Sequence, residues 1–119
     1  LVKKEGIKED ELIIVKGFYE ESLNKKLIDQ LSPTKAAVIY IDCDLYTSTV
    51  SVLDFIKHFL QPGTIIIFDD WNCFYGDRTR GQKKAFSEFL NSNKNFVFEE
   101  FVSDAESKSF IYISNTNEN

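Results

Sequence analysis

Residues 36–46 read AAVIYIDCDLY, and residues 63–71 read GTIIIFDDW. In each stretch a run of mostly aliphatic and β-branched residues ends in a pair of acidic residues. Runs of this kind predict two strands that are buried on both faces of a sheet, Ala36–Ile41 and Thr64–Phe68. The segment between them is long enough for one helix and two turns. The two strands are therefore predicted to be parallel members of an α/β sheet.

The acidic residues that follow these strands predict a binding site. Asp42 and Asp44 follow the first strand, and Asp69 and Asp70 follow the second. In α/β sheets, ligands bind beyond the carboxyl ends of the strands. Four carboxylates at one edge repel one another, so a cation is expected among them, and we favour a divalent metal held by Asp42, Asp69 and Asp70. The alternative is that the first pair caps the next helix while the second pair opens a loop.

The composition limits the class of protein. The chain has 119 residues, of which 43% are hydrophobic and 28% charged, as expected for one domain of a soluble globular protein. Its net charge of −5 argues against binding to nucleic acids. No apolar run approaches the roughly 20 residues needed to cross a membrane. Cys43 and Cys73 do not form a disulfide framework, so both are interpreted as reduced thiols of a cytoplasmic protein.

The remaining apolar patterns predict three more strands and three helices. The strands are Leu12–Val15, Phe96–Val102 and Phe110–Ser114, and the helices cover Leu23–Leu31, the segment from Thr47 or Ser48 to Leu60, and Gln82–Asn91. A short polar segment joins the last two strands, so they are expected to form an antiparallel hairpin. The largely alternating order of strands and helices predicts a single three-layer α/β domain over residues 1–119, with a mostly parallel sheet.

Two known patterns share part of this arrangement. A strand followed by Asp-x-Asp is found in metal-dependent glycosyltransferases, but that pattern does not account for the second acidic pair. A later strand followed by two aspartates also occurs in haloacid-dehalogenase phosphatases, but their motif requires Thr or Val where Tyr46 stands. The aromatic residues Trp71, Phe74 and Tyr75 are expected either to line an acceptor pocket or to pack their own loop against the protein.

A broader set of motifs resembles the macrocin O-methyltransferase family. The strings are IIVKGFYEESL, IDCDLYTSTVSVLDFI, PGTIIIFDDW and GQKKAFSEFL, and the resemblance extends from Leu12 to about Leu90. It implies an enzyme that uses S-adenosylmethionine and Mg²⁺ to methylate hydroxyl groups, typically on sugars of natural products.

The resemblance also implies roles for individual residues. Asp42, Asp69 and Asp70 match the metal ligands of the family, and Asp42 also matches the proposed general base. Gly17 and Phe18 match the place where related methyltransferases hold the adenine end of the cofactor. The residues implied to contact the small-molecule acceptor are Tyr46, Trp71 and Tyr75.

The chain departs from class I methyltransferases in one respect. These enzymes hold the cofactor on a glycine-rich loop after their first strand, and the sequence has no G-x-G. The resemblance therefore implies an incomplete Rossmann-like fold, the C-terminal part from the third strand onward, with a gap in the sheet next to Ala36–Ile41. An isolated chain is expected either to keep this gap or to close it by strand re-pairing or by association with a second copy. A non-catalytic methyltransferase-like remnant or interaction module is the alternative function.

Overall fold

The computed structural model describes residues 6–116, which form four helices and four strands together with short 3-10 turns at Glu9–Glu11 and Lys57–Phe59. The helices are α1 (Tyr19–Ser22), α2 (Lys25–Leu31), α3 (Tyr46–Ile56) and α4 (Gly81–Ser92). The strands are β1 (Val38–Ile41), β2 (Ile65–Phe68), β3 (Phe96–Ser103) and β4 (Lys108–Asn115). None of the helices in this part of the chain is long and apolar enough to cross a membrane.

The four strands form one sheet in the order β1-β2-β4-β3. β1 and β2 are parallel, as predicted, and β3 and β4 form the predicted antiparallel hairpin. β4 also pairs antiparallel with β2. The prediction of a mostly parallel sheet is therefore wrong for residues 6–116, where one pairing of three is parallel. The reason is that the short β3–β4 connection reverses the chain, and β4 then lies directly beside β2.

One face of the sheet carries the hydrophobic core. Strand alternation directs a set of large side chains to this face, where α3 and α4 cover them. These strand residues are Ile41, Ile66, Phe68, Phe110 and Tyr112, each 8% exposed or less. Phe86 of α4 lies at the centre of an aromatic cluster, with its ring centroid 4.9 Å from that of Phe68 and 4.7 Å from that of Phe110.

The opposite face of the sheet is apolar and open. Val38 and Tyr40 point away from the core and are each 57% exposed, and Ile113 is 40% exposed. The described residues therefore form two layers here, a helical layer and the sheet, where the sequence predicted three. In this part of the chain β1 is also an edge strand, because it pairs with β2 alone.

The N-terminal third differs most from the sequence prediction. Leu12–Val15 is not a strand, and its side chains are 39 to 72% exposed. A β-branched run forms a strand only where a neighbouring strand supplies hydrogen-bond partners, and none lies beside this segment in the described sheet. The helix predicted over Leu23–Leu31 begins later, at Lys25, because the Asn24 side chain caps it by accepting from the Leu27 N–H at 3.0 Å.

Candidate metal centre

The parallel pairing of β1 and β2 brings the two acidic segments together. Ile41 and Phe68, the last residues of these strands, are partners in register, and the Asp69 N–H donates to the Ile41 carbonyl at 3.0 Å. The next residues along each strand end are therefore neighbours. One carboxylate oxygen from each of Asp42, Asp69 and Asp70 lies within 4.8 Å of the other two. The predicted convergence of these three aspartates is confirmed.

The three carboxylates differ in their exposure to solvent. Asp42 is exposed, whereas Asp69 and Asp70 are half-buried. Asp70 Oδ2 is buried and accepts no hydrogen bond, and within residues 6–116 it is the one buried side-chain nitrogen or oxygen in that condition. A buried carboxylate oxygen without a partner is costly unless a cation lies against it. Hard divalent cations such as Mg²⁺ prefer carboxylate oxygens, so this donor set fits such an ion.

The electrostatics of the cluster support the same interpretation. Burial and the neighbouring carboxyl groups of Asp44, Asp69 and Asp42 raise the pKa of Asp70 to about 6. The pKa of Asp42 is also raised, first by a hydrogen bond with Asp69, then by burial and nearby negative charge. Both shifts mean that the surrounding protein groups do not offset the repulsion between the ionised carboxylates of the cluster. A bound divalent cation would supply the missing positive charge.

The sequence profile of the macrocin O-methyltransferase (TylF) family matches residues 2–96. The chain belongs to this family. The family match favours a methyltransferase over the glycosyltransferase alternative that the Asp-x-Asp pattern left open. Among curated proteins, none matches the sequence significantly.

Two solved O-methyltransferase structures are similar to this family member. The O-methyltransferase NovP superimposes with a TM-score of 0.73 at 18% identity, covering 94% of this chain and 42% of its own. Apo CalS11, a TDP-rhamnose 3′-O-methyltransferase of calicheamicin biosynthesis, gives a TM-score of 0.65 at 21% identity, covering 87% of this chain and 42% of its own. At these identities the similarity establishes the fold alone. The chain spans less than half the length of either structure.

Trp71, predicted to contact the acceptor, packs against the core of this macrocin O-methyltransferase family member. Its ring centroid lies 5.1 Å from that of Phe68 and 5.4 Å from that of Phe110. The other side of Trp71 borders an open cleft of about 400 Å³ between α4 and the β3–β4 hairpin. Lys83 and Lys108 each place an ammonium group 5.9 Å from the Trp71 ring. Trp71 therefore packs against the core on one side and leaves its other side available for contact with an acceptor in the cleft.

The two predicted tyrosines lie in different surroundings. Tyr46 begins α3, and its hydroxyl donates to the Glu88 carboxylate of α4, while the Lys84 ammonium lies 4.3 Å from its ring centroid. The hydrogen bond to Glu88 raises the pKa of Tyr46. Tyr75, by contrast, is fully exposed, with a left-handed backbone φ of 55°. Roles in acceptor binding remain predictions for both.

Gly17 and Phe18, predicted to face the cofactor, lie at the beginning of α1. Gly17 has a left-handed φ of 128°, and the Phe18 side chain is 76% exposed. α1 contacts α3, whereas the three aspartates follow β1 and β2. The structure thus places these two residues on a different element from the acidic cluster, and their role in cofactor binding remains a prediction.

Two residues beside the cluster were not predicted from the sequence. Hydrogen bonding to Asp69, burial and the nearby carboxylates raise the pKa of Tyr40 to about 12. Gln82 is fully buried and donates to the backbone on both sides of Asp42. A sequence signal for Gln82 exists, because it shares the buried stripe of α4 with Ala85, Phe86 and Phe89. A polar residue on an apolar stripe indicates a buried hydrogen-bonding role.

Replacing Asp70 with Asn is expected to stabilise the metal-free protein above pH 6. The folded-state pKa of Asp70, about 6, exceeds the ordinary 3.8. The stability that this group contributes is therefore present below pH 4 and is lost as the pH rises through 6. Asparagine is neutral throughout. The free energy of unfolding in urea should rise by about 1 kcal/mol at pH 7.5, allowing for solvent screening, and the gain should shrink towards pH 4.

Asp77→Asn provides a control of opposite sign. The Thr79 hydroxyl and N–H donate to Asp77 Oδ1 at 2.7 and 2.9 Å and lower the pKa of Asp77. Its contribution to stability is present above the unfolded-state pKa and is lost as the pH falls through the lowered value. Asp77→Asn should therefore destabilise the protein at pH 7.5. An Asp70→Asn variant that is less stable than the parent at pH 7.5 contradicts the electrostatic assignment.

Proposed function

We propose that the chain carries the metal- and acceptor-binding part of an S-adenosylmethionine-dependent O-methyltransferase that acts on hydroxyl groups of sugars or related natural products. The observation that carries the proposal is the convergence of the carboxylates of Asp42, Asp69 and Asp70, the last of which has a buried oxygen without a hydrogen-bond partner. Family membership supports the methyl-transfer chemistry. CalS11, whose acceptor is TDP-rhamnose, supports the acceptor class by its similar fold.

Asp42, Asp69 and Asp70 would hold a Mg²⁺ ion, and the ion would lower the pKa of the acceptor hydroxyl and orient its oxygen. Asp42 is the proposed general base. Its carboxylate is exposed, so it can reach an acceptor hydroxyl on the solvent side of the cluster and take up its proton. The half-buried Asp69 and Asp70 would fix the position of the acceptor relative to this base.

The methyl transfer itself is an in-line displacement. S-adenosylmethionine, when bound, would supply the methyl group from its sulfonium and leave as the neutral thioether, and Asp42 would accept the proton that the acceptor hydroxyl releases. Such a reaction depends mainly on positioning of the two reactants. Gly17 and Phe18 are proposed to contact the adenine end of the donor, and Tyr46, Trp71 and Tyr75 to contact the acceptor. The proposed setting is the cytoplasm, because both cysteines are free thiols.

A second candidate is a cation-binding module that transfers no methyl group by itself. The absence of a G-x-G motif from the sequence favours it, because that motif holds the methionine part of the donor in class I methyltransferases. Within residues 6–116, β1 pairs with β2 alone, which also favours this candidate because an additional strand could pair along its other edge, including one from a second copy of this chain. In that case the acidic cluster would bind Mg²⁺ without supporting catalysis.

Calorimetric titrations of the 119-residue chain separate these candidates. The chain is titrated with Mg²⁺, and then with S-adenosylmethionine or its demethylated product in the presence and absence of Mg²⁺. Binding of both donor and metal supports the proposed transferase, and methylation of a deoxysugar nucleotide that stops when the metal is chelated would establish it. Metal binding without donor binding supports the cation-binding module. Absence of metal binding contradicts both candidates. Binding of a nucleotide sugar without binding of S-adenosylmethionine would support the glycosyltransferase alternative.

A further inference from the structure

Gln82 connects the two acidic segments through its side-chain amide. The amide carbonyl accepts from the Asp70 N–H at 3.1 Å. The amide nitrogen donates to the carbonyls of Ile41 at 3.3 Å and Cys43 at 3.1 Å, the residues on either side of Asp42. One side chain of α4 therefore spans from the backbone that carries Asp42 to the backbone that carries Asp70.

The hydrogen-bond partners fix the orientation of this amide. An N–H group of the backbone can only donate, and a backbone carbonyl can only accept, so a rotation that exchanged the nitrogen and oxygen of Gln82 would break all of these bonds. Gln82 is 0% exposed, so bulk water does not reach its amide as a substitute partner. Each lost bond would leave a buried backbone group unpaired, and such groups are costly.

The beginning of α4 is shaped to bring Gln82 to this position. Gly81 has a left-handed φ of 58°, and a Cβ atom there would lie 2.8 Å from the Phe74 ring and 3.5 Å from the Asp44 carbonyl oxygen. The left-handed φ and the close approach of Phe74 therefore favour glycine at the first residue of α4. The next residue, Gln82, is buried on the core side and contacts the backbone of both acidic segments from there.

We propose that Gln82 is a positioning residue, whose amide sets the distance between the carboxylates of Asp42 and Asp70 and so determines how well they hold a divalent cation. This inference rests on the proposed function, in which those carboxylates bind Mg²⁺. Gln82 itself contributes no ligand, because all of its polar atoms are bonded to the backbone. Outer residues that orient metal ligands typically change metal affinity by about 10- to 100-fold.

The test compares Mn²⁺ affinities of the 119-residue chain by electron paramagnetic resonance titration. Gln82→Met keeps the length of the side chain and removes its hydrogen bonds, and we expect its affinity for Mn²⁺ to be at least about tenfold weaker than that of the parent. The amide exchange rate of Asp70, measured by nuclear magnetic resonance, should also rise. Gln82→Asn, which keeps the amide and shortens the side chain, should weaken binding as well and serves if Gln82→Met does not fold.

Thr64→Val is the matched control. Thr64 is also 0% exposed and connects the same two strands at their other end, where its hydroxyl donates to the Ala36 carbonyl at 2.6 Å and accepts from the Gln61 N–H at 3.0 Å. The Thr64→Val variant should have a lower midpoint of urea unfolding. Its Mn²⁺ affinity should stay within about twofold of the parent, because the acidic segments keep their connection through Gln82.

The outcomes distinguish this inference from the proposed function. If the parent binds Mn²⁺ and Gln82→Met binds it equally well, the positioning role is wrong and the metal site stands. If Thr64→Val weakens Mn²⁺ binding as much as Gln82→Met does, Gln82 acts only through global stability, and the inference is overturned. If the folded parent binds no Mn²⁺, the proposed metal site is wrong and the positioning role falls with it.

Discussion

Replacing Asp69 and Asp70 together with Asn is expected to weaken the binding of Mg²⁺ or Mn²⁺ by at least about 100-fold. The change removes two of the three converging carboxylates, including the buried and unpartnered Asp70 Oδ2. Loss of a ligand should cost at least as much affinity as the upper end of the loss seen for residues that merely orient ligands. Because the variant also loses charge repulsion, it should remain folded. Isothermal titration calorimetry at pH 7.5 measures the affinity.

A control must separate loss of the site from loss of general negative charge. The chain carries a net charge of −5, which by itself concentrates divalent cations near its surface. Asp10→Asn combined with Asp29→Asn removes the same charge from two exposed residues outside the cluster. This control should bind the ion within about twofold of the parent, because screened charges at a distance contribute little. Unchanged affinity in the Asp69/Asp70 variant, or an equal loss in the control, would refute the metal site.

The acidic cluster was predictable because the sequence contains the rule that forms it. Two apolar runs that each end in aspartates can meet only if their strands are parallel, and the segment between them has the length of a crossover helix. The register of Ile41 with Phe68 then places Asp42 beside Asp69. This conclusion requires only the direction and pairing of the two strands. It does not require the packing of individual side chains, which sequence patterns do not predict.

The layers of the fold were less predictable from the same runs. A continuous apolar run indicates burial on both faces, but the described structure covers one face only and leaves Val38 and Tyr40 exposed. Leu12–Val15 has the composition of a strand and no neighbouring strand in the sheet. In both cases the residue types are suited to burial, and the element that would cover or pair with them is not among the described residues. The composition of a segment does not show whether another element is present to cover it or to pair with it.

The roles of Gln82 and Trp71 depend on contacts that follow from tertiary packing. Gln82 occupies a position of α4 where periodicity favours an apolar residue, and its buried hydrogen bonds become visible only when α4 is placed against β1 and β2. Trp71 follows the acidic pair directly, which suggested an acceptor contact, yet its ring also packs against Phe68 and Phe110 of the core. Sequence spacing identified both segments and left the direction of each side chain undetermined.

Replacing Phe86 with Ala is expected to destabilise the protein by about 3–5 kcal/mol. Phe86 is 2% exposed, and five aromatic partners surround it with centroid distances of 4.7 to 6.2 Å, namely Phe68, Trp71, Phe89, Phe98 and Phe110. Truncation removes a large apolar side chain and leaves a cavity that rigid rings cannot fill by small shifts. Since small domains have total stabilities of about 5–15 kcal/mol, urea unfolding should show a large shift to lower midpoint.

Phe101→Ala tests whether burial, and not the loss of any phenyl ring, causes this effect. Phe101 lies on β3 and is 54% exposed, so its truncation should cost less than about 1 kcal/mol. Equal destabilisation by the two variants would contradict a core centred on Phe86. Phe86 contacts Phe68, the residue before Asp69, but supplies no ligand, so Phe86→Ala should weaken Mn²⁺ binding only to the extent that the protein unfolds. Excess Mn²⁺ should therefore raise the unfolding midpoint of this variant, as it does for any protein whose native state binds the ion.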